Sequence, residues 1–242
     1  MRKLIITAII LTISFSVDAQ SWWSNKKVKG NGELKTETRK TEDYDGVSLG
    51  GFFEIVLIKG KEGNIKVEAE ENLLQYIVTE VKRGTLQVNV EKGYNLKTTR
   101  RITVTVPVQE IEKVSLGGSG NIKGDLLLKA DEFSVSIGGS GNIGLNIDAE
   151  NVKTSVAGSG DIELSGKASS IKCSIAGSGT IKAYDLEVDS VKASIAGSGD
   201  IRISVKNSIK ATVAGSGNIY YKGNPSTKDV KSVGSGRIVN KN

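Results

Sequence analysis

The chain is 242 residues long, with 29 glycines against two prolines, a net charge of +6, one cysteine and no histidine. One cysteine excludes an intrachain disulfide framework, and the lack of histidine removes the commonest general base and metal ligand. Aromatic residues make up only 5%, too few for a broad core, and a mildly basic charge says little about partners.

At the N-terminus, Met1-Arg2-Lys3, the apolar run from Leu4 to Val17 and the Val17-Asp18-Ala19 site read as a secretory signal peptide over 1–19. The run is short for a membrane anchor, and no cysteine follows it to carry a lipid. No later segment approaches the roughly 18 apolar residues of a membrane span. Residues 20–45 are expected to form a linker or cap, with Trp22 and Trp23 packing on the end of the fold and Leu34 to Thr41 as an edge strand. One domain is expected over 46–240, irregular from 46 to 110 and regular from 111 to 240.

In the irregular part, Val47-Ser48-Leu49-Gly50-Gly51 echoes Val114-Ser115-Leu116-Gly117-Gly118 and marks a degenerate coil. Strands are predicted at Ile65 to Ala69, Val78 to Lys82, Leu86 to Val90 and Ile102 to Val106. Between them Glu71 to Tyr76 is a helical turn, Arg83-Gly84-Thr85 turns a hairpin, and Pro107 ends a strand. Larger coils with insertions, continuous with the regular stack, are the expected arrangement.

From 118 onward one phrase recurs. Gly118-Ser119-Gly120-Asn121-Ile122 returns at Gly139, Gly158, Gly177, Gly197, Gly215 and Gly234, and its isoleucines fall 21, 19, 19, 20, 18 and 19 residues apart. A near-constant period with a turn signal in every unit marks a stack of coils. Before each Gly-Ser-Gly, apolar residues alternate with polar ones, as in Ile171/Cys173/Ile175 around Lys172 and Ser174. That is a short strand with one buried face.

A second strand starts at each repeated Ile, and a third fits in what remains, as at Leu186/Val188. The prediction is an all-β, triangular β-solenoid with ~19-residue Gly-Ser-Gly-Asx-Ile coils and all seven isoleucines in one internal stack. Helical repeats would need runs at 3.6 spacing and fewer glycines. A lone coil buries too little to offset ordering its backbone, at about 1–2 kcal/mol per residue, so stability must come from stacking. Cys173, at an inward position, reads as a small buried apolar residue.

Several motifs fail on their context. Gly139-Ser140-Gly141-Asn142-Ile143-Gly144 matches the dinucleotide fingerprint, but no helix follows and the sister repeats lack the third glycine. A calcium-binding β-roll needs a nine-residue period and an acid in each turn, whereas the positions here read Asn121, Asn142, Asp161, Thr180, Asp200, Asn218 and Arg237. Glycoside hydrolysis needs two carboxyls across a cleft, and the acids here are scattered. No cofactor and no metal site is predicted.

The Gly-Ser-Gly-(Asn/Asp)-Ile repeats, the opening Gly50-Gly51-Phe52-Phe53-Glu54-Ile55 and the late Tyr221-Lys222-Gly223-Asn224-Pro225 resemble the putative auto-transporter adhesin, head GIN domain family. The resemblance spans roughly 45–238. It implies an exported protein of Gram-negative bacteria with a right-handed single-stranded β-helix, and it carries over no catalytic or binding residues. No translocator barrel follows Ile238, so self-transport is not expected of this polypeptide.

The functional expectation is a non-enzymatic cell-envelope or surface protein, adhesin-like or polysaccharide-binding. The alternative is a carbohydrate-active β-helix enzyme, a lyase or hydrolase. A nucleic-acid partner is not expected; a homo-oligomer is left open by the exposed terminal coils. The candidate binding face is a row of outward lysines, Lys113, Lys153, Lys172, Lys192 and Lys210, interrupted by Ser134. Two residues on stands a hydroxyl row that includes Ser155, Ser174 and Ser194. Such a row either solvates the sheet and discourages aggregation or binds an anionic polysaccharide.

Overall fold

The computed structural model describes residues 25–242; the predicted signal peptide and the Trp22-Trp23 pair lie outside the described residues. The period-2 alternation of the C-terminal half becomes coils of extended chain. Asn142–Gly158 and Asp161–Gly177 each trace most of one coil and pair in parallel from Asn142↔Asp161 to Gly158↔Gly177. The seven repeated isoleucines are consecutive partners from Ile122 to Ile238. The first six are at most 1% exposed. Ile238 departs from the expected internal stack: it is in register but only partly buried, because no coil among the described residues lies over it.

The Gly-Ser-Gly corners hold neighbouring coils close. Ser178 and Gly179 both donate their N–H to the Gly158 carbonyl, at 2.9 and 3.1 Å. A Cβ on Gly177 would stand 2.3 Å from that same oxygen, and φ there is +133°. Only glycine fits.

In the last coil the inward places of Ile209 and Val213 pass to Lys228 and Ser232. Both are exposed, so polar residues interrupt the apolar columns at this end, although Val233 is 73% exposed. Charges along such an edge also oppose strand addition from another chain.

The N-terminal half differs from the expected series of larger coils. Gly46–Gly51 and Glu54–Lys59 form a coil on which Lys113–Gly118 and the residues from Asn121 stack directly. Thr85–Val90 and Thr103–Val108 lie on that coil's other side. The chain therefore leaves the first coil, builds a layer beneath it and returns above it at 113. Antiparallel strands close this end: Ile77–Lys82 on Thr85–Val90, and Leu34–Lys40 on Asn64–Glu70. Lys26–Lys29 pairs separately with Tyr94–Lys97.

The helical turn at Glu71–Tyr76 is a 3-10 helix, and Arg83 and Gly84 turn the hairpin with φ of 51° and 73°. Pro107 sits inside its strand rather than after it, opposite Ile58 and one residue from the end, where a missing N–H costs the ladder little. Its carbonyl accepts the Tyr44 hydroxyl at 2.6 Å.

One buried carboxylate ties the cap together. Glu70 is 0% exposed and accepts from Gly32 N at 2.7 Å, Thr99 N at 2.9 Å and Thr99 Oγ1 at 2.8 Å. Burial pushes its carboxyl up, and the donors of Thr99, Gly32 and Arg100 outweigh that, holding it below the usual range.

Candidate functional site

Stacking turns one sequence position per coil into a column running along the solenoid axis. Lys113, Ser134, Lys153, Lys172, Lys192, Lys210 and Asp229 are successive partners, which aligns the five lysines in one column. Two residues on, Ser115, Ser136, Ser155, Ser174, Ser194 and Thr212 are likewise aligned. That row satisfies itself in part: Ser194 Oγ lies 3.3 Å from Ser174 Oγ.

A groove of about 570 Å³ follows the lysine row over Lys153, Lys172, Lys192 and Lys210. Lys113 does not line it, and neither do Ser155, Ser174 and Ser194, which lie on the opposite side of the lysines. The facing wall is a column that the sequence reading missed: Asn151, Ser170, Ser190, Ser208 and Thr227. Each stands two residues before the lysine row, outward by the same alternation that exposes the lysines. The floor is the buried Val152, Ile171, Val191 and Ile209, each at most 3% exposed.

Carboxylates close both ends. Glu132 Oε2 lies 3.3 Å from Lys153 Nζ, and Asp229 Oδ2 lies 3.0 Å from Lys210 Nζ. The Asp229 carboxyl is held below its usual range by the Lys210 hydrogen bond and by the charges of Lys210 and Lys231. Among the described residues, Lys172 and Lys192 have no carboxylate partner. On the facing wall, Ser170 donates to Asn151 at 2.7 Å, and Ser190 and Ser208 stand Oγ to Oγ at 2.7 Å. The step from Ser170 to Ser190, beside the two free ammoniums, is unbridged.

A column elsewhere shows the contrast. Lys129, Asp148, Lys167 and Glu187 are successive partners, and Lys206 Nζ lies 3.1 Å from Glu187. Charges alternate there at every step, which is what cross-strand neighbours favour.

The groove lacks the carboxyl pair of a glycosidase. Glu132 and Asp229 are separated by five coil spacings, about 24 Å at about 4.8 Å each, against roughly 5–9.5 Å for the catalytic pairs. A second depression gathers Glu110, Glu112, Asp131, Asp148 and Glu150. All five are exposed. Cys173 is fully buried, and its thiol is pushed up to about 12 by that burial, against a hydrogen bond with Thr154 that lowers it. Among the described residues no group of three or more His, Cys, Asp or Glu could hold a metal ion, and no helix is long and apolar enough to cross a membrane.

Solved structures share this architecture. A putative adhesin of Bacteroides fragilis NCTC 9343 matches with a TM-score of 0.84 at 25% identity, over 88% of this chain and 100% of its own. A putative lipid binding protein of Parabacteroides distasonis ATCC 8503 matches at 0.75 and 29% identity, over 90% and 100%. A putative adhesin of Parabacteroides merdae ATCC 43184 matches at 0.67 and 25% identity, over 88% and 99%. No curated protein matches the chain. Residues 43–225 match the family described as "Putative auto-transporter adhesin, head GIN domain", and the chain belongs to that family.

Proposed function

We propose that this is an exported, non-enzymatic protein of the cell envelope or surface, whose solenoid holds a segment of anionic polysaccharide along the lysine-walled groove. The observation that carries the reading is the uniform run Lys153-Lys172-Lys192-Lys210 facing a hydroxyl and amide wall across an open groove. Where charge serves only the sheet, as in the Lys129 to Lys206 column, the chain alternates sign. Ammoniums in a row beside hydroxyls supply ionic contacts and secondary hydrogen bonds to an extended, hydroxyl-rich anion.

The test is retention on immobilised polygalacturonate, with neutral dextran as control, at rising salt. Binding should weaken steeply as the Debye length falls from about 10 Å at 0.1 M to about 3 Å at 1 M. Replacing Lys153, Lys172 and Lys192 together by Gln should abolish retention while leaving the melting temperature nearly unchanged. Undiminished retention in that triple variant would remove the groove from consideration. Release of shortened product would replace this reading by an enzymatic one.

A further inference from the structure

The four lysines are not equivalent, and the difference names a ligand group. We infer that the groove recognises one phosphomonoester per bound segment, held by Lys172, Lys192 and Ser190. The ligand is thus a sparsely phosphorylated glycan rather than a polymer charged on every residue. The inference rests on the polysaccharide-binding reading above and narrows it.

Three observations lead there. First, Lys153 and Lys210 already have carboxylate partners in Glu132 and Asp229, whereas Lys172 and Lys192 have none among the described residues. These two are register partners on adjacent coils, about 4.8 Å apart along the axis, so both ammoniums can converge on one anion. Second, the donor count suits three oxygens. Ser170 spends its proton on Asn151. In the Ser190–Ser208 pair either hydroxyl can donate; with Ser208 as donor, the Ser190 proton is free to turn toward the groove. Two ammoniums and one hydroxyl match the three terminal oxygens of a phosphomonoester, while a carboxylate offers only two. Third, Glu132 and Asp229 set the length. A uronate on every sugar would bring further negative charges toward the carboxylates at the groove ends, where like charges repel. A single dianion at the centre stands clear of them.

The experiment is isothermal titration of the full chain with mannose 6-phosphate and with tri-galacturonate. The variants are K172Q/K192Q, K153Q/K210Q, S190A and E132Q/D229N, each first shown to melt like the parent. Mannose 6-phosphate should bind one to one and more tightly than tri-galacturonate. Charge-assisted contacts of this kind should make K172Q/K192Q weaken it by about tenfold or more and K153Q/K210Q by no more than about threefold. S190A should weaken the phosphate and spare the uronate. E132Q/D229N should tighten tri-galacturonate by relieving repulsion at the ends.

Equal losses from the two lysine pairs, or a uronate trimer that binds as tightly as the sugar phosphate, would overturn the central site while leaving the groove as the binding face. Loss of polygalacturonate retention in neither lysine pair would instead take down the groove reading itself. Binding to phosphatidate vesicles without binding to mannose 6-phosphate would also overturn the inference, since the phosphate would then be read on a lipid.

Discussion

Replacing Gly179 by Ala should be among the most damaging single-methyl changes in the chain. A Cβ there would lie 2.2 Å from the Gly160 carbonyl oxygen and 2.6 Å from Val156 Cγ1. Reaching an ordinary contact requires the coils to part by about 1 Å, which carries N–H···O bonds outside their usual range. Three bonds cross that corner: Ser178 N and Gly179 N to Gly158 O at 2.9 and 3.1 Å, and Thr180 N to Gly160 O at 3.1 Å. At about 0.5–1.5 kcal/mol each, their loss costs roughly 3 kcal/mol. For a chain of this size that lowers the melting temperature by about 6–12 °C.

The same chemical change at Gly138 is the control. Nothing lies within 4 Å of a Cβ built there, and its register partners along the stack are Ala157, Ala176, Ala196 and Ala214. Gly138→Ala should be neutral or stabilising by up to about 1 kcal/mol, because it narrows only the unfolded ensemble. Thermal melting followed by circular dichroism compares the two. Equal shifts, or a Gly179→Ala protein melting within about 2 °C of the parent, would refute the claim that the corner glycines are there to admit a neighbouring backbone.

Ile181→Asp should prevent stable folding, since it places an unpaired charge in a column where Ile181 and its partners are 0% exposed; soluble, cooperatively melting protein would contradict it. Ile181→Val should cost only about 0.5–1.5 kcal/mol, measured by urea denaturation. Glu70 and Glu54 both titrate below the usual carboxylate range, so an unfolded chain takes up protons first on acidification. Their contribution is complete above the unfolded value of about 4.3 and is lost as pH falls through the lower folded values. Glu70→Gln should therefore flatten the dependence of melting temperature on pH below about 5, and an unchanged slope would exclude Glu70 as the cause. Cys173 should resist iodoacetamide in the native protein and react only after denaturation, as mass spectrometry of the intact chain would show, because its thiol is buried and raised to about 12.

The regular coils were legible because their repeat is steric. Both glycines of each corner face the backbone of the coil before, so a missing side chain recurs wherever a coil does. The cap was less legible for an equally physical reason. Alternation shows that Ile65 to Ala69 and Leu86 to Val90 are strands but says nothing of their direction. In the structure the first pairs antiparallel with both of its neighbours, while the second pairs parallel with Gly46–Gly51 and antiparallel with Ile77–Lys82. The likeness of Val47-Ser48-Leu49-Gly50-Gly51 to Val114-Ser115-Leu116-Gly117-Gly118 did carry the answer. Those segments are adjacent strands, paired Val47↔Val114 through Gly51↔Gly118. In a stack, likeness implies contact, and a contact across the intervening residues means that they must be set aside beneath. Glu70 gave no such sign, since its donors come from Gly32, Thr99 and Arg100 on two separate loops.

The site divides in the same way. The lysine column was legible because one position per period becomes one line in space. Its facing wall was not, because Ser169 and Ser170 are successive outward residues at a corner, where alternation changes phase between Ala168 and Ile171. The repulsion within the row is small. Two unit charges about 4.8 Å apart in bulk water repel by roughly 0.9 kcal/mol, and salt and splaying of the side chains reduce that further. A fold can carry three such steps without a bound anion. What the repulsion does not account for is placement. The acids that could neutralise the row sit at Glu132 and Asp229, at its two ends, while Lys172 and Lys192 are left without a carboxylate beside an unbridged step of the hydroxyl wall. Solvation alone favours no such arrangement, since any coil would serve equally well for a carboxylate. An anion seated at the centre does favour it, because acids at the ends leave the groove electrostatically open only between them, at Lys172 and Lys192.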